Sequence, residues 1–120
     1  LNLLGYALLE RRQNIAEAKR LISRAAELKP DDAAITDSLG WAQYLSGDFG
    51  NAVTTLEKAA TADESEPTIR EHLGDAYWRA GQRIAARYAW RAALLQSEGD
   101  AAKRIAEKAD LGLNDKNEAP

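Results

Sequence analysis

Residues 33–66 read AAITDSLGWAQYLSGDFGNAVTTLEKAATADESE, and residues 67–100 read PTIREHLGDAYWRAGQRIAARYAWRAALLQSEGD. Laid over each other, the two stretches agree where small and apolar residues fall. Leu39-Gly40 lies over Leu73-Gly74, Ala52 over Ala86, and Ala59 over Ala93. Upstream residues join the register: Ala18 and Ala25 precede Ala52 and Ala59 by 34 positions, and Leu4-Gly5 precedes Leu39-Gly40 by 35. A single-residue slip therefore falls between Leu8 and Ala18, which predicts a longer turn around residues 10–14. Self-similarity at such a period is the mark of stacked supersecondary units.

Local signals say that each unit is a pair of helices. Asp31 and Asp32 are good N-cap types ahead of a helix over 33–46, which stops at Ser46-Gly47. Asp48 is placed to cap the next helix, which runs to about Ala60. Pro67 suits a first helical turn, where its missing N–H is not needed, and Gly81 ends that helix before a partner over 82–97. Gly40 and Gly74 fall mid-helix, where glycine costs about 1 kcal/mol relative to alanine. Its recurrence at one register implies close helix–helix contact, with Ala52 and Ala86 expected opposite. After Gly99-Asp100, Ala102, Ile105, Ala106 and Ala109 form an apolar stripe. Lys103, Arg104, Glu107 and Lys108 cover the other side, and Leu111-Gly112-Leu113 reads as a helix stop.

Composition agrees. The chain has 120 residues, enough for one domain. Ala, Leu, Glu, Lys and Arg dominate, which favours helix. The net charge of −3 argues against a duplex nucleic-acid binder, usually basic overall. With no cysteine, disulfides and thiolate metal sites are excluded. No apolar run approaches the ~20 residues of a membrane-spanning helix. The sequence has no methionine and opens inside a helical pattern, as a piece of a longer protein would.

The repeat resembles the tetratricopeptide repeat family, whose pattern sets an aromatic before Leu-Gly, then Tyr, Ala, Phe and Pro. The second unit offers Thr36, Leu39, Gly40, Gln43, Ala52, Leu56 and Glu64. The third offers Arg70, Leu73, Gly74, Tyr77, Ala86, Trp90 and Glu98, and the first Leu1, Leu4, Gly5, Leu8, Ala18, Ile22 and Pro30. The first aromatic is missing throughout, and glutamate replaces proline twice. The resemblance implies an all-α fold, a right-handed α-solenoid of three helix-turn-helix units over 1–32, 33–66 and 67–100. A capping helix over 101–113 and a flexible tail over 114–120 complete it. The bacterial style of the units resembles envelope adaptors for other proteins, proteases included, which points to a bacterial envelope or periplasm, with the cytoplasm as the alternative.

In that family the first helix of each pair lines the concave side, and its function is to bind other polypeptides. Helical spacing then sets Asp37, Trp41 and Tyr44 on one face, with Glu71, Asp75 and Trp78 on the next helix and Asn2, Tyr6 and Leu9 on the first. These nine residues make a peptide groove of aromatic and acidic character, suited to a partner with basic and apolar residues. Asn2 alone matches the cationic clamp by which some members hold a carboxylate. The alternative for the rings is packing between adjacent helices. The alternative for the whole chain is a purely structural array that stacks on upstream repeats or self-associates.

Little else carries chemistry. Arg79, Arg83, Arg87 and Arg91 form a stripe, read as a solvated face or as ion-pair partners of Glu98, Glu107 or Asp110. An anion patch is the other reading. His72 is the only histidine and is expected to be half exposed. Trp90 and Phe49 are expected as core fillers. No phosphate loop, metal-ligand spacing or nucleophile motif is present, so an enzyme, a cofactor and a metal site are all unexpected.

Overall fold

A computed structural model describes residues 15–120, which form six helices. These are α1 (Ile15–Leu28), α2 (Ala33–Leu45), α3 (Phe49–Ala62), α4 (Pro67–Arg79), α5 (Arg83–Leu94) and α6 (Gly99–Leu111). Each helix packs on the next, and α2 also touches α4. The result is an all-helical solenoid in which α2, α4 and α6 line one side, here called the inner face.

The caps explain the boundaries. The Ile35 N–H donates to the Asp32 carboxylate at 3.0 Å, satisfying one orphan donor of α2. At its far end Gly47 takes a φ of +83°, Gly47 N–H donates to Tyr44 O, and Asp48 N–H donates to Gln43 O. This is a Schellman closure, which needs a left-handed residue and therefore favours glycine. Gly81, at φ +87°, repeats it on Trp78 and Tyr77. At the start of α4, the Glu66 side chain accepts from Thr68 N–H, with Pro67 in the first turn. Asp48 does not make the expected cap bond. Its carboxylate accepts from the Asn51 side chain instead.

Packing within each pair turns on the mid-helix glycines. A Cβ at Gly40 would sit 2.5 Å from Leu56 Cγ, and one at Gly74 would sit 2.4 Å from Trp90 Cδ1. The residues opposite are thus Leu56 and Trp90, one turn beyond the alanines expected there. Ala52 and Ala86 are fully buried beside them. Trp41, Leu56, Ile69 and Leu73 belong to the largest core cluster, between the second and third units. Trp90, Ile105 and Ala109 join the third unit to α6. Ala18 and Ile22 of α1 pack on Ala42. Trp90 fills the core as expected, and Phe49 packs at its edge.

Gly74→Ala is expected to lower stability by ~1–3 kcal/mol, as overpacking does. The gain of about 1 kcal/mol in helix propensity is too small to offset a methyl driven into a fully buried indole. Urea denaturation checks this, and a variant as stable as the parent would contradict the close approach.

Candidate functional site

Asn2, Tyr6 and Leu9 lie outside the described residues. The other six sequence candidates sit on the inner face, on α2 and α4, where the periodicity of 34 places them side by side. They do not form an open acidic groove, because all but Trp78 are buried and held by His72, by α6, by residues 118–119 or by ring stacking.

Trp41 is 2% exposed. Its ring stacks on Tyr44 at 4.2 Å and on His72 at 4.1 Å, so the packing alternative describes this indole. His72 is 1% exposed, not half exposed as expected. It lies 34 residues after Ser38, so it faces the preceding inner helix, and its Nδ1 meets the Asp37 carboxylate at 2.9 Å. Burial alone would lower the imidazole's pKa. The Asp37 charge and hydrogen bond outweigh burial and raise it.

Glu71 and Asp75 form the second part of the strip. Arg104 of α6 holds Glu71 through two hydrogen bonds of 2.7 Å, and Lys108 Nζ lies 2.7 Å from the same carboxylate. Lys108 is fully buried, 2.8 Å from Asp75 Oδ1. It stands 34 residues after Gly74, at the register of the mid-helix glycines. Asp75 Oδ1 also accepts from Trp90 Nε1 at 2.9 Å, and Oδ2 accepts from the Ala119 N–H at 2.8 Å. Burial would push both carboxyls up. At Glu71 the two cations win and its pKa falls, whereas at Asp75 burial wins and its pKa rises.

The case for a basic partner rested on these three carboxylates being open. Each is instead paired within the chain, with His72, with Arg104 and Lys108, or with Lys108.

The rings at the C-terminal ends of α2 and α4 are placed differently. Tyr44 is buried, and its hydroxyl donates to Glu118 and accepts from Arg79 Nε at 3.3 Å. Burial and the Glu118 carboxylate together raise its pKa well above the ordinary phenol value. Trp78 is half buried. It meets Trp90 at 5.6 Å on one side and carries the Arg83 and Arg87 guanidinium groups at 4.4 and 5.2 Å. Arg87 Nε also donates to Ala109 O near the end of α6. So Arg83 and Arg87 pack on an aromatic face and a helix end, and Arg91 is exposed.

Residues 114–120, expected as a flexible tail, lie across the inner face. Asn114 and Asn117 close a turn: Asn117 Oδ1 accepts from Asn114 N–H at 2.7 Å, and Asn114 Oδ1 accepts from Lys116 N–H at 2.8 Å. Asn117 Nδ2 donates to Gly112 O at 3.0 Å and to Glu107 at 3.1 Å. Beside the strip, a cleft of about 340 Å³ opens between the N-terminal ends of α2 and α4. Ala34, Asp37, Ser38, Thr68 and Ile69 are among its walls. Among the described residues no cluster of side chains could hold a metal ion, and no helix is long and apolar enough to cross a membrane.

The architecture is that of an α-solenoid of 34-residue helix pairs closed by a single further helix, and known proteins share it. No family model matches the chain. TPR repeat-containing protein PA4667 of Pseudomonas aeruginosa is 40% identical over 75 residues, which are 62% of this chain and 12% of that protein. The chain thus spans about an eighth of that relative's length. The type III secretion translocator chaperone SycD of Yersinia enterocolitica superposes with a TM-score of 0.81 at 15% identity, over 91% of this chain and 78% of that one. A second structure of SycD, an alternative dimer, gives 0.80 at 16%, over 91% and 86%. At such identities the likeness is one of fold. Together the repeat pattern, the named relative and the fold bear out the resemblance to the tetratricopeptide repeat proteins.

Two outcomes follow from the ionised cluster. Lys108→Met leaves Glu71 and Asp75 buried without their shared cation, and breaking such a pair costs about 3–5 kcal/mol. Chemical denaturation should show a loss of that size. His72, raised above its unfolded value of 6.5, contributes stability fully present below 6.5 and lost as pH rises through the folded value. Melting midpoints should fall across that window, and His72→Gln should flatten this part of the profile.

Proposed function

We propose that this array is a polypeptide-binding module, an adaptor or scaffold element, and that partner segments lie along its inner face. The observation that carries the reading is the geometry of that face. Side chains from α2, α4 and α6 form one connected strip, rigid because its charges are paired, and next to it lies the cleft walled by Ala34, Asp37, Ser38, Thr68 and Ile69. Extended peptides need such a site: a pre-formed surface with acceptors and apolar walls, which keeps the ordering cost on the peptide's side.

Two solved structures that share the fold are of a type III secretion translocator chaperone, and the relative is named for its repeats. Both support a partner that is itself a polypeptide. Catalysis is not part of this reading. The sole histidine is buried and committed to Asp37, and the buried carboxylates are committed to Lys108 and Arg104. The arginines do not favour a nucleic-acid partner, because Arg83 and Arg87 are engaged on Trp78.

A photo-crosslinking residue at Ala34 or Thr68, both exposed at the cleft, is expected to yield polypeptide adducts from the native cell extract. One at Tyr88, exposed on α5, is expected to yield few. Arg87→Ala should leave the yield at Ala34 unchanged. Adducts formed at Tyr88 and absent at Ala34 and Thr68 would move binding to the outer helices and overturn the reading.

A further inference from the structure

Helix α6 is closed without residues 114–120: Gly112, at φ +91°, donates its N–H to Lys108 O at 2.8 Å, and its backbone packs on Trp78. The segment that follows nonetheless turns back over the earlier repeats. Asn117 anchors it at Gly112 and Glu107 of α6. Ala119 then meets Asp75 of α4, and Glu118 meets Tyr44 of α2 and Arg79 of α4. Ala119 is 1% exposed and belongs to the same cluster as Trp41 and Tyr44.

The way it is held distinguishes it from a segment fixed by apolar packing. Two of its polar contacts are made to the array by groups any polypeptide carries or many could supply: a main-chain N–H on Asp75 and a carboxylate on Tyr44 and Arg79. One methyl group, that of Ala119, enters the apolar floor. Residues 114–118 are all polar, and Asp115, Lys116 and Pro120 are exposed. Segments with few buried apolar contacts are those that open locally while the rest stays folded.

We propose that residues 114–120 are a built-in occupant of the inner face, and that a partner takes their place there with an extended segment bearing an acidic residue followed by a small one. The proposal rests on the polypeptide-binding reading above and names the ligand chemistry of that face. Asp75 Oδ2 reads the peptide backbone. The Tyr44 hydroxyl and the Arg79 guanidinium read the carboxylate, in a charge-assisted contact. Ala119 is buried among Trp41 and Tyr44, which favours a small residue at that position. A tethered occupant acts at about millimolar effective concentration, so the groove is self-screened against weak ligands. A partner's apparent affinity falls in proportion to the fraction of time the site stands open.

The test uses the full chain and a synthetic peptide of residues 114–120, followed by NMR. Ala119→Asp puts a second carboxylate against Asp75 and should eject the segment, leaving the helices as they are. Glu118→Ala is the milder version should the first variant fail to fold. The peptide, titrated to about 10 mM, is expected to bind the Ala119→Asp chain about tenfold or more tightly than the parent, with shifts at the Tyr44, Asp75 and Arg79 amides. The Glu118→Gln form of the peptide should bind about tenfold more weakly, having lost its charge. Equal binding to parent and variants overturns the occupant. Shifts confined to other residues, or no binding by a folded variant, overturn the ligand assignment. If adducts still form at Ala34 and Thr68 in that case, the reading of the inner face stands and this inference alone falls.

Discussion

The buried carboxylate of Asp75 is the point on which the second half of the molecule converges. One oxygen takes the Trp90 indole N–H from α5 and the Lys108 ammonium from α6, and the other takes the Ala119 amide. An unpaired charge in that position would be prohibitive, since desolvation of a lone carboxylate far exceeds what packing returns. Helices α5 and α6 must therefore be in place together, and the Ala119 amide adds a third contact to a carboxylate they already pair. Trp90 can reach Asp75 only because Gly74 lets its ring lie against the backbone of α4. The glycine and the aspartate are adjacent for that reason: one makes room for the indole, and the other bonds its nitrogen.

The same register is used differently in each inner helix. Gly40 receives Leu56, Gly74 receives Trp90, and 34 residues on stands Lys108. No further outer helix packs against α6 among the described residues, so that position is free to carry a long side chain. It points back toward the array and supplies the cation that Glu71 and Asp75 need. The terminal helix thus seals the third unit by charge as well as by the apolar contacts of Ile105 and Ala109.

The architecture was legible because repetition leaves its mark directly on the sequence. Leu-Gly and the alanines recur at a fixed interval, and Asp32, Gly47, Pro67 and Gly81 punctuate it where backbone geometry demands. The inner-face positions could be read too, since helical spacing puts Asp37, Trp41 and Tyr44 on one side. What those residues do there could not. Whether Trp41 is open depends on His72, and whether Asp75 is charged toward solvent depends on Lys108. Those are contacts between units, and spacing within a unit is silent about them. Aligning the third unit with α6 offers one overlooked signal: a lysine in a glycine register asks for a reason. The path of residues 114–120 had no signal of that kind. Its polar composition reads as a solvated tail, and only tertiary hydrogen bonds fix it.

The inner face also decides how this solenoid comes apart. In a linear array, stability is a sum of each unit's own term and a coupling term to its neighbour. Within each pair the close contacts at the glycines are apolar, Leu56 on Gly40 and Trp90 on Gly74, and in the third pair the Trp90 indole also bonds the Asp75 carboxylate. The ties from one inner helix to the next include His72 with Asp37, and Arg104 and Lys108 with Glu71. Deprotonation of His72 therefore acts on the tie between the second and third units. As the imidazole loses its proton, the second and third pairs keep their helices but communicate less. The units are still joined by the apolar cluster of Trp41, Leu56, Ile69 and Leu73, so pH trims the coupling between neighbours without abolishing it.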